Sequence, residues 1–313
     1  MIKIDNLSKA FGSFKAVDGI SFNVAAGEVL GFLGPNGAGK STTMKMICGF
    51  LTPSAGSVSV CGHDVVKEPL KAKELIGYLP EGAPAYADMT PLQYLNFIAE
   101  IRGYKGGVKA ARVQSVVDQL ALKSVVNRRI EELSKGFKRR VGIAQAILHD
   151  PKVLILDEPT DGLDPNQKHQ VRNLIKNLSK DKIVIISTHI LEEVSAVCNR
   201  AIIIAQGQLV ADEKPAELEA RSRYHHAVTL QLQQGEDVLN TLKQLSLVED
   251  VEISSDSDRC YTLIPKSGED VFPAVNNLIK EKGWVVEQLF VERGRLDDVF
   301  RNVTANKQAE EVA

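Results

Sequence analysis

The segment at residues 34–41 constrains this chain more than any other stretch of its sequence. It reads GPNGAGKS, the G-x-x-x-x-G-K-S pattern of a phosphate-binding P-loop, between the apolar run VLGFL and a helix-like segment. The glycines let backbone N–H groups point at a polyphosphate, and the helix that follows adds the positive end of its dipole. In such loops the lysine, here Lys40, reaches the β- and γ-phosphates, and the hydroxyl of Ser41 binds Mg²⁺. A glycine-rich turn in an ordinary βα connection is the alternative.

Length and composition indicate a soluble protein of about two domains, since the chain has 313 residues, 44% of them hydrophobic and 25% charged. The formal net charge of −2 gives no reason to expect nucleic acid or anionic lipid as a partner. The four cysteines lack metal-ligand spacing. No run approaches the roughly 18–20 apolar residues of a membrane span, so we expect any membrane role to come through a partner.

The pattern of apolar residues predicts an α/β fold for the first two thirds of the chain. Short strands are expected up to residue 79, and three amphipathic helices between Thr90 and about Asp150, the third starting near Lys138. Apolar runs such as VLILD and IVIIS then alternate with helices, one of them at 165–178. Such alternation is typical of a parallel sheet covered on both faces.

A second domain is predicted after residue 220, where the composition shifts. Its pattern reads βαββαβ, a ferredoxin-like α+β unit, and a short helix follows in RLDDVFRNV. The domain boundaries are therefore predicted as 1–220, with a helical subdomain at about 88–150, then 221–305 for the accessory unit. Residues 306–313 are expected to be a disordered tail.

Further candidate site residues stand at predicted strand ends and at a helix start. Asp157 and Glu158 close the apolar strand VLILD, where the first would hold Mg²⁺ and the second would polarise the attacking water. His189 follows the strand IVIIS at the same edge and would bond the γ-phosphate or that water. Ser134 and Gly136 form a second anion-binding helix start, which a second subunit's nucleotide would meet.

The motifs GPNGAGKST, LSKGF, VLILDEPTDGLD and STHI, in this order and spacing, resemble the ATP-binding subunit of an ABC transporter. The resemblance covers about residues 1–215, and it is nearest to bacterial type-2 exporters, including the gliding-motility-type ATPase subgroup. It implies a P-loop (RecA-like) nucleotide-binding domain with an N-terminal antiparallel β subdomain and a helical insertion. It also implies ATP and Mg²⁺ as ligands.

The resemblance carries roles over to individual positions. Lys40, Glu158 and His189 would be catalytic, with Glu158 as the base. Phe11 would stack on adenine. Ser41, Asp157 and Glu81 would hold the metal. Ser134, Lys135 and Gly136 would clamp the partner's ATP, and Asp164 would lie in the loop that crosses the dimer. The nucleotide would be bound by Phe11, Gly34, Pro35, Asn36, Gly37, Ala38, Gly39, Lys40, Ser41 and Thr42.

Several positions depart from the usual family pattern. Lys135 and Phe137 replace the Gly and Gln of the usual LSGGQ, Glu81 stands where glutamine is usual, and Asp161 replaces a small residue. None of them removes a phosphate ligand or the base. An active ATPase is therefore expected.

The function predicted is a transport motor. Two copies would sandwich two ATP molecules head to tail and pull on an integral membrane permease, so that the chain would be cytoplasmic and peripheral at the inner face of the membrane. Two alternatives remain. The first is an ABC-type ATPase that acts on nucleic acid or ribosomes, which the single nucleotide domain and the net charge disfavour. The second is a regulatory ATP-binding protein, which the presence of Glu158 and His189 disfavours. The C-terminal unit is expected to regulate activity or stabilise the dimer.

Overall fold

The computed structural model describes residues 1–82, 85–233, 238–254 and 257–310. It divides into two compact units, Met1–Glu213 and Lys214–Ala313. Among the described residues, no helix combines the length and the apolar character that crossing a membrane requires.

The first unit is built on a six-stranded sheet whose strands are β3 (Val29–Leu33), β6 (Ile76–Leu79), β7 (Val153–Asp157), β8 (Ile183–Thr188), β9 (Arg200–Ala205) and β10 (Gln208–Glu213). They lie in the order β10-β9-β3-β8-β7-β6, and every pair is parallel except β9 with β10. Every residue of β3, β7 and β8 is buried, as predicted for strands covered on both faces. The carboxyl ends of these three strands consequently lie side by side.

A second sheet in this unit is antiparallel and contains β1 (Ile2–Phe11), β2 (Phe14–Val24), β4 (Ala55–Val60) and β5 (His63–Asp64), in the order β2-β1-β4-β5. Ile2 and Ile4 are buried while Lys3 is exposed, the alternation of a half-buried strand. β2 begins at Phe14, close after the end of β1. A turn with Gly12 at φ +61° pairs Phe11 directly with Phe14.

The α-helices in the described part of the first unit are α1 (Lys40–Ile47), α2 (Pro69–Glu74), α3 (Pro91–Ile101), α4 (Gly106–Gln119), α5 (Lys135–Ile147), α6 (Pro165–Leu178) and α7 (Leu191–Val197). α3 begins with a capping box: the Thr90 hydroxyl accepts a hydrogen bond from the Gln93 N–H at 3.2 Å, and Gln93 Oε1 accepts one from the Thr90 N–H at 2.9 Å. α3, α4 and α5 are the three helices predicted between Thr90 and Asp150, and they share an apolar core that includes Leu95 and Val117.

α5 begins at Lys135 rather than near Lys138, which corrects the predicted start. Ser134 is its N-cap, and the Ser134 hydroxyl accepts a hydrogen bond from the Phe137 N–H at 3.4 Å. That bond satisfies one of the free N–H groups of the first turn. Lys135 and Gly136 therefore lie on the first turn of the helix.

The second unit contains β11 (Val228–Leu232), α9 (Val238–Lys243), β12 (Val248–Ser254), β13 (Ser257–Pro265), α10 (Phe272–Lys282) and β14 (Val286–Val291). Its antiparallel sheet has the order β12-β13-β11-β14. Leu230 and Leu263 from the sheet share one apolar core with Leu242 from α9 and Val275 from α10.

Two further helices change the predicted boundaries of this unit. α8 (Pro215–Glu219) packs against α11 (Leu296–Glu310), so that the unit begins at residue 214 and not after residue 220. Gly294 lies so close to this segment that a Cβ there would stand 2.0 Å from the carbonyl oxygen of Glu219. α11 also continues through 306–310, where a disordered tail was predicted, because its Ala, Lys, Gln and Glu residues favour a helix. Residues 311–313 lie outside the described residues.

His149, which follows α5, is a half-buried imidazole held in its neutral form. Its Nε2 lies 3.0 Å from the carbonyl oxygen of Ile76, and its Nδ1 is buried with no hydrogen-bond partner in the described part of the chain. Burial and the nearby charge of Arg102 lower the pKa of His149 to about 4, from an ordinary value of 6.5. Protonation of this ring therefore opposes folding.

We expect the free energy of unfolding to fall by about 3 kcal/mol on this account between pH 6.5 and pH 4, because the unfolded chain takes up a proton that the folded ring excludes. The stability that the neutral ring contributes is complete above pH 6.5 and is lost as the pH falls to about 4. His149→Gln should reduce this pH dependence, as measured by urea unfolding at pH 7 and pH 4.5. The exposed His169→Gln should leave it unchanged, and equal losses in both variants would contradict the assignment.

Candidate functional site

The predicted P-loop connects the end of β3 to the start of α1. Gly37 and Gly39 have φ values of +82° and +104°, in the left-handed region that favours glycine. A Cβ at Gly34 would lie 2.5 Å from the carbonyl oxygen of Ile204, and one at Gly39 would lie 2.5 Å from that of Ala16. The loop therefore packs closely against β9 and β2, which leaves no room for a side chain at Gly34 or Gly39.

Lys40 turns back into this loop. It is only 7% exposed, and its Nζ donates hydrogen bonds to the carbonyl oxygens of Gly34 at 2.7 Å and Pro35 at 3.1 Å. Burial lowers the pKa of Lys40, and the negative charges of Glu158, Asp157 and Glu81 oppose that shift. The ammonium group thus stands inside the curl of the loop, where a phosphate oxygen would be bound.

The rest of the predicted loop surrounds that lysine. The Ala38 N–H donates to the carbonyl oxygen of Pro35 at 3.2 Å, which closes the turn. Pro35, Asn36 and Gly37 are exposed, whereas Ser41 and Thr42 are half-buried in the first turn of α1. The loop therefore offers exposed backbone N–H groups at its tip and the hydroxyls of Ser41 and Thr42 at the helix start. Both kinds of group can donate hydrogen bonds to an anion.

Asp157 and Glu158 stand at the carboxyl end of β7, beside the loop. Asp157 is 1% exposed, and its Oδ1 accepts a hydrogen bond from the hydroxyl of Ser187 on β8. Glu158 adopts a φ of +50°, and its N–H donates to the Ser187 carbonyl oxygen at 3.0 Å. Its own carbonyl oxygen accepts a hydrogen bond from Arg139. The two carboxylates are therefore held by the backbone and by a neighbouring strand.

His189 completes the predicted constellation. It follows β8, and its Nδ1 lies 2.9 Å from Glu158 Oε1. The imidazole is 53% exposed, while the Glu158 side chain is 11% exposed. Burial raises the pKa of Glu158, and the hydrogen bond with His189 opposes that shift. A partly desolvated carboxylate with a raised pKa is a stronger base towards a water molecule.

The predicted residues outside this edge have defined positions as well. Glu81 is exposed just after β6, close enough for its charge to act on Lys40. Phe11 ends β1 with 51% of its surface exposed, and the Lys9 Nζ lies 5.3 Å from the centre of its ring. Asp164 is the N-cap of α6, and its Oδ1 accepts a hydrogen bond from the Gln167 N–H at 2.9 Å.

The signature residues, which are Ser134, Lys135 and Gly136, lie at the start of α5, and the other end of this helix packs against β6. Ser134 and Lys135 are exposed, and Gly136 is buried against α6. A Cβ at Gly136 would lie 2.4 Å from Gln167 Oε1, so a larger residue there requires the end of the Gln167 side chain to move. The Lys135 side chain passes over Gly162, since a Cβ at that glycine would lie 3.2 Å from Lys135 Cδ. Lys135 consequently packs against the loop that leads to Asp164.

Glu193 is a buried residue of the site that the sequence did not reveal. It is 4% exposed on α7, where Thr160 Oγ1 donates to its Oε1 and Thr188 Oγ1 donates to its Oε2 at 3.3 Å. Glu193 therefore links the loop after Glu158 to the end of β8, just before His189. An acid beside a second acid on a helix usually faces water, so the sequence offered no signal.

We expect Glu193→Gln to lower the free energy of unfolding by about 1–3 kcal/mol, because both carboxylate oxygens accept hydrogen bonds and an amide nitrogen accepts none. Urea unfolding at neutral pH measures the change. The matched control is Glu192→Gln on the exposed face of the same helix, expected within about 0.5 kcal/mol of the parent. Equal stability of both variants would contradict the role of the Thr160 and Thr188 hydrogen bonds.

Comparison with known proteins agrees with this geometry. The family model described as ABC transporter matches residues 17–161. The chain is 33% identical over 309 residues to the Nod factor export ATP-binding protein I of Paraburkholderia xenovorans (strain LB400), covering 98% of this chain and 97% of the relative. It is 32% identical over 314 residues to the uncharacterized ABC transporter ATP-binding protein YhcH of Bacillus subtilis (strain 168), covering 99% and 98%.

A solved structure carries the same fold over the first unit. It is a dimeric ATP-binding cassette in a post-hydrolysis state bound to ADP and Pi, with a TM-score of 0.64 and 25% identity over 69% of this chain and 99% of that chain. The predicted resemblance is thereby confirmed at the level of the family, and with it the prediction that the chain binds ATP. The chain belongs to the ABC transporter family, as one of its ATP-binding, ATP-hydrolysing subunits.

Proposed function

We propose that this chain drives an exporter, working as a homodimer on a membrane permease. The full-length similarity to a protein named for Nod factor export supports export, and the dimeric cassette supports pairing of two copies. The subgroup is the bacterial type-2, gliding-motility-type one, and the place of action is the inner face of the membrane.

One observation carries the catalytic part of the proposal. Glu158 Oε1 and His189 Nδ1 lie 2.9 Å apart at the sheet edge where Lys40 also points, so a base, its orienting imidazole and a cation converge. In the reaction the Lys40 Nζ gives up its hydrogen bonds to the two loop carbonyl oxygens and binds phosphate oxygens instead. Its positive charge neutralises the charge of those phosphate oxygens. Glu158 accepts a proton from the attacking water, and His189 holds that carboxylate in place. Positioning and electrostatics supply the rate enhancement.

Mg²⁺ fits the oxygen donors that the site offers. The hydroxyl of Ser41 and the carboxylates of Asp157 and Glu81 are hard ligands of the kind this ion prefers. The described residues include no group of three His, Cys, Asp or Glu that could hold a metal ion alone. A site of few protein ligands agrees with an ion shared with the nucleotide phosphates, where it would neutralise charge on them.

The trans half of the site comes from the second copy. Ser134 is exposed at the start of α5, and the helix dipole there favours an anion such as the partner's γ-phosphate. Lys135 adds a positive charge at the same place, and Gly136 keeps the turn against α6. Asp164 is exposed at the start of α6, where it would cross the dimer. Phe11, open on one face, would stack on adenine.

The second unit is proposed to be a ferredoxin-like accessory domain that regulates activity or stabilises the dimer. Its strand–helix–strand–strand–helix–strand order and the sheet order β12-β13-β11-β14 support the assignment.

The decisive variant is Glu158→Gln, which keeps the size of the side chain and removes its basicity. ATP should still bind and an ATP-dependent dimer should accumulate, whereas phosphate release should fall about 100-fold or more. Size-exclusion chromatography with light scattering and a phosphate-release assay measure the two effects. Glu192→Gln, exposed on α7, should match the parent in both, and normal turnover in Glu158→Gln would show that another group is the base.

A further inference from the structure

Arg139 is a buried cation that the proposed reaction does not use. It lies on α5 with 4% of its surface exposed, and its Nη2 donates a hydrogen bond to the carbonyl oxygen of Glu158. Its Nη1 is buried and has no hydrogen-bond partner within the ranges that the structure describes. An unused donor on a buried guanidinium is costly, so packing alone does not account for an arginine here.

Arg139 holds the peptide group of Glu158, and the conformation of this peptide sets the direction of the proposed catalytic carboxylate. Glu158 has a φ of +50°, a conformation that is unfavourable for a residue with a side chain. On one side its N–H donates to the Ser187 carbonyl oxygen at 3.0 Å, and on the other its carbonyl oxygen accepts from Arg139. The direction of the side chain towards His189 therefore depends on these two hydrogen bonds.

The same helix carries the signature turn. Ser134 caps α5, and Arg139 follows five positions later, about 7.5 Å further along the axis at ~1.5 Å per residue. α5 is continuous from Lys135 to Ile147, so a shift of its first turn displaces Arg139 with it. The signature and the carbonyl of Glu158 are thus joined by one rigid element and one hydrogen bond.

We propose that Arg139 is a positioning residue that couples the two ATP sites of the dimer. When the partner's nucleotide engages Ser134 and Gly136, α5 moves as a unit, and Arg139 sets the peptide of Glu158 in its own chain. Each chain then hydrolyses its ATP efficiently only while the partner's site is occupied. This inference rests on the proposed dimer, in which the signature of one copy meets the nucleotide of the other.

The test compares Arg139→Met, which has no donor, with Arg139→Lys, which keeps a donor and the charge. For Arg139→Met we expect kcat to fall about tenfold and the Hill coefficient for ATP to fall to about 1, with KM within about twofold of the parent. Arg139→Lys should retain most of the parent's kcat and cooperativity. If Arg139→Met does not fold, as judged by thermal unfolding, Arg139→Leu, which also has no donor, replaces it with the same expectation.

The matched control is Lys138→Met, because Lys138 is a cation on the same helix whose Nζ donates to the Glu131 carbonyl oxygen at 2.9 Å. It should leave kcat and the Hill coefficient unchanged. Normal cooperativity in Arg139→Met, an equal loss in Arg139→Lys, or a parent Hill coefficient of 1 would each overturn the coupling role. A parent protein that fails to dimerise with ATP or to release phosphate would instead overturn the proposed function.

Discussion

The site depends on the parallel register of three buried strands. Leu33 of β3 pairs with Thr188 of β8, and Asp157 of β7 pairs with Ser187 of β8, so the three strands end at one level. The P-loop, the two carboxylates and His189 each leave the sheet from one of those ends. A slip of one strand would separate groups that must act together, and the apolar runs resist such a slip because both faces are covered.

The charged groups at this edge of the six-stranded sheet are largely buried, and neighbouring groups compensate for their charge. Asp157 and Glu158 are nearly buried, as are the cations Lys40 and Arg139. Buried charges are tolerated only when they are paired or hydrogen-bonded. Here hydroxyls, backbone groups and opposite charges share that task, so replacing any one of these groups disturbs the others. Glu193, a third buried acid, shows the same principle, because a threonine hydroxyl donates to each of its carboxylate oxygens.

The sequence predicted the parts of the fold and site that depend on local pattern. Apolar runs located β3, β7 and β8, and Pro165 located the start of α6, because these signals lie within a few residues of each other. Glu193 and Arg139 were missed because their roles arise from packing between distant segments. The start of α5 was placed near Lys138, a few residues late, although Ser134 was already assigned to a helix start. The tail at 306–310 was predicted to be disordered because chain ends often are, although its residues favour a helix.

Lys40 has a consequence for how readily the nucleotide leaves. With its Nζ bonded to the carbonyl oxygens of Gly34 and Pro35, Lys40 has its donor satisfied within the loop itself. In the proposed reaction a phosphate oxygen would replace those two bonds, so part of the attraction between lysine and phosphate would be offset on binding. The two carbonyl oxygens would thus compete with the proposed ligand for the lysine, which favours repeated turnover over tight retention.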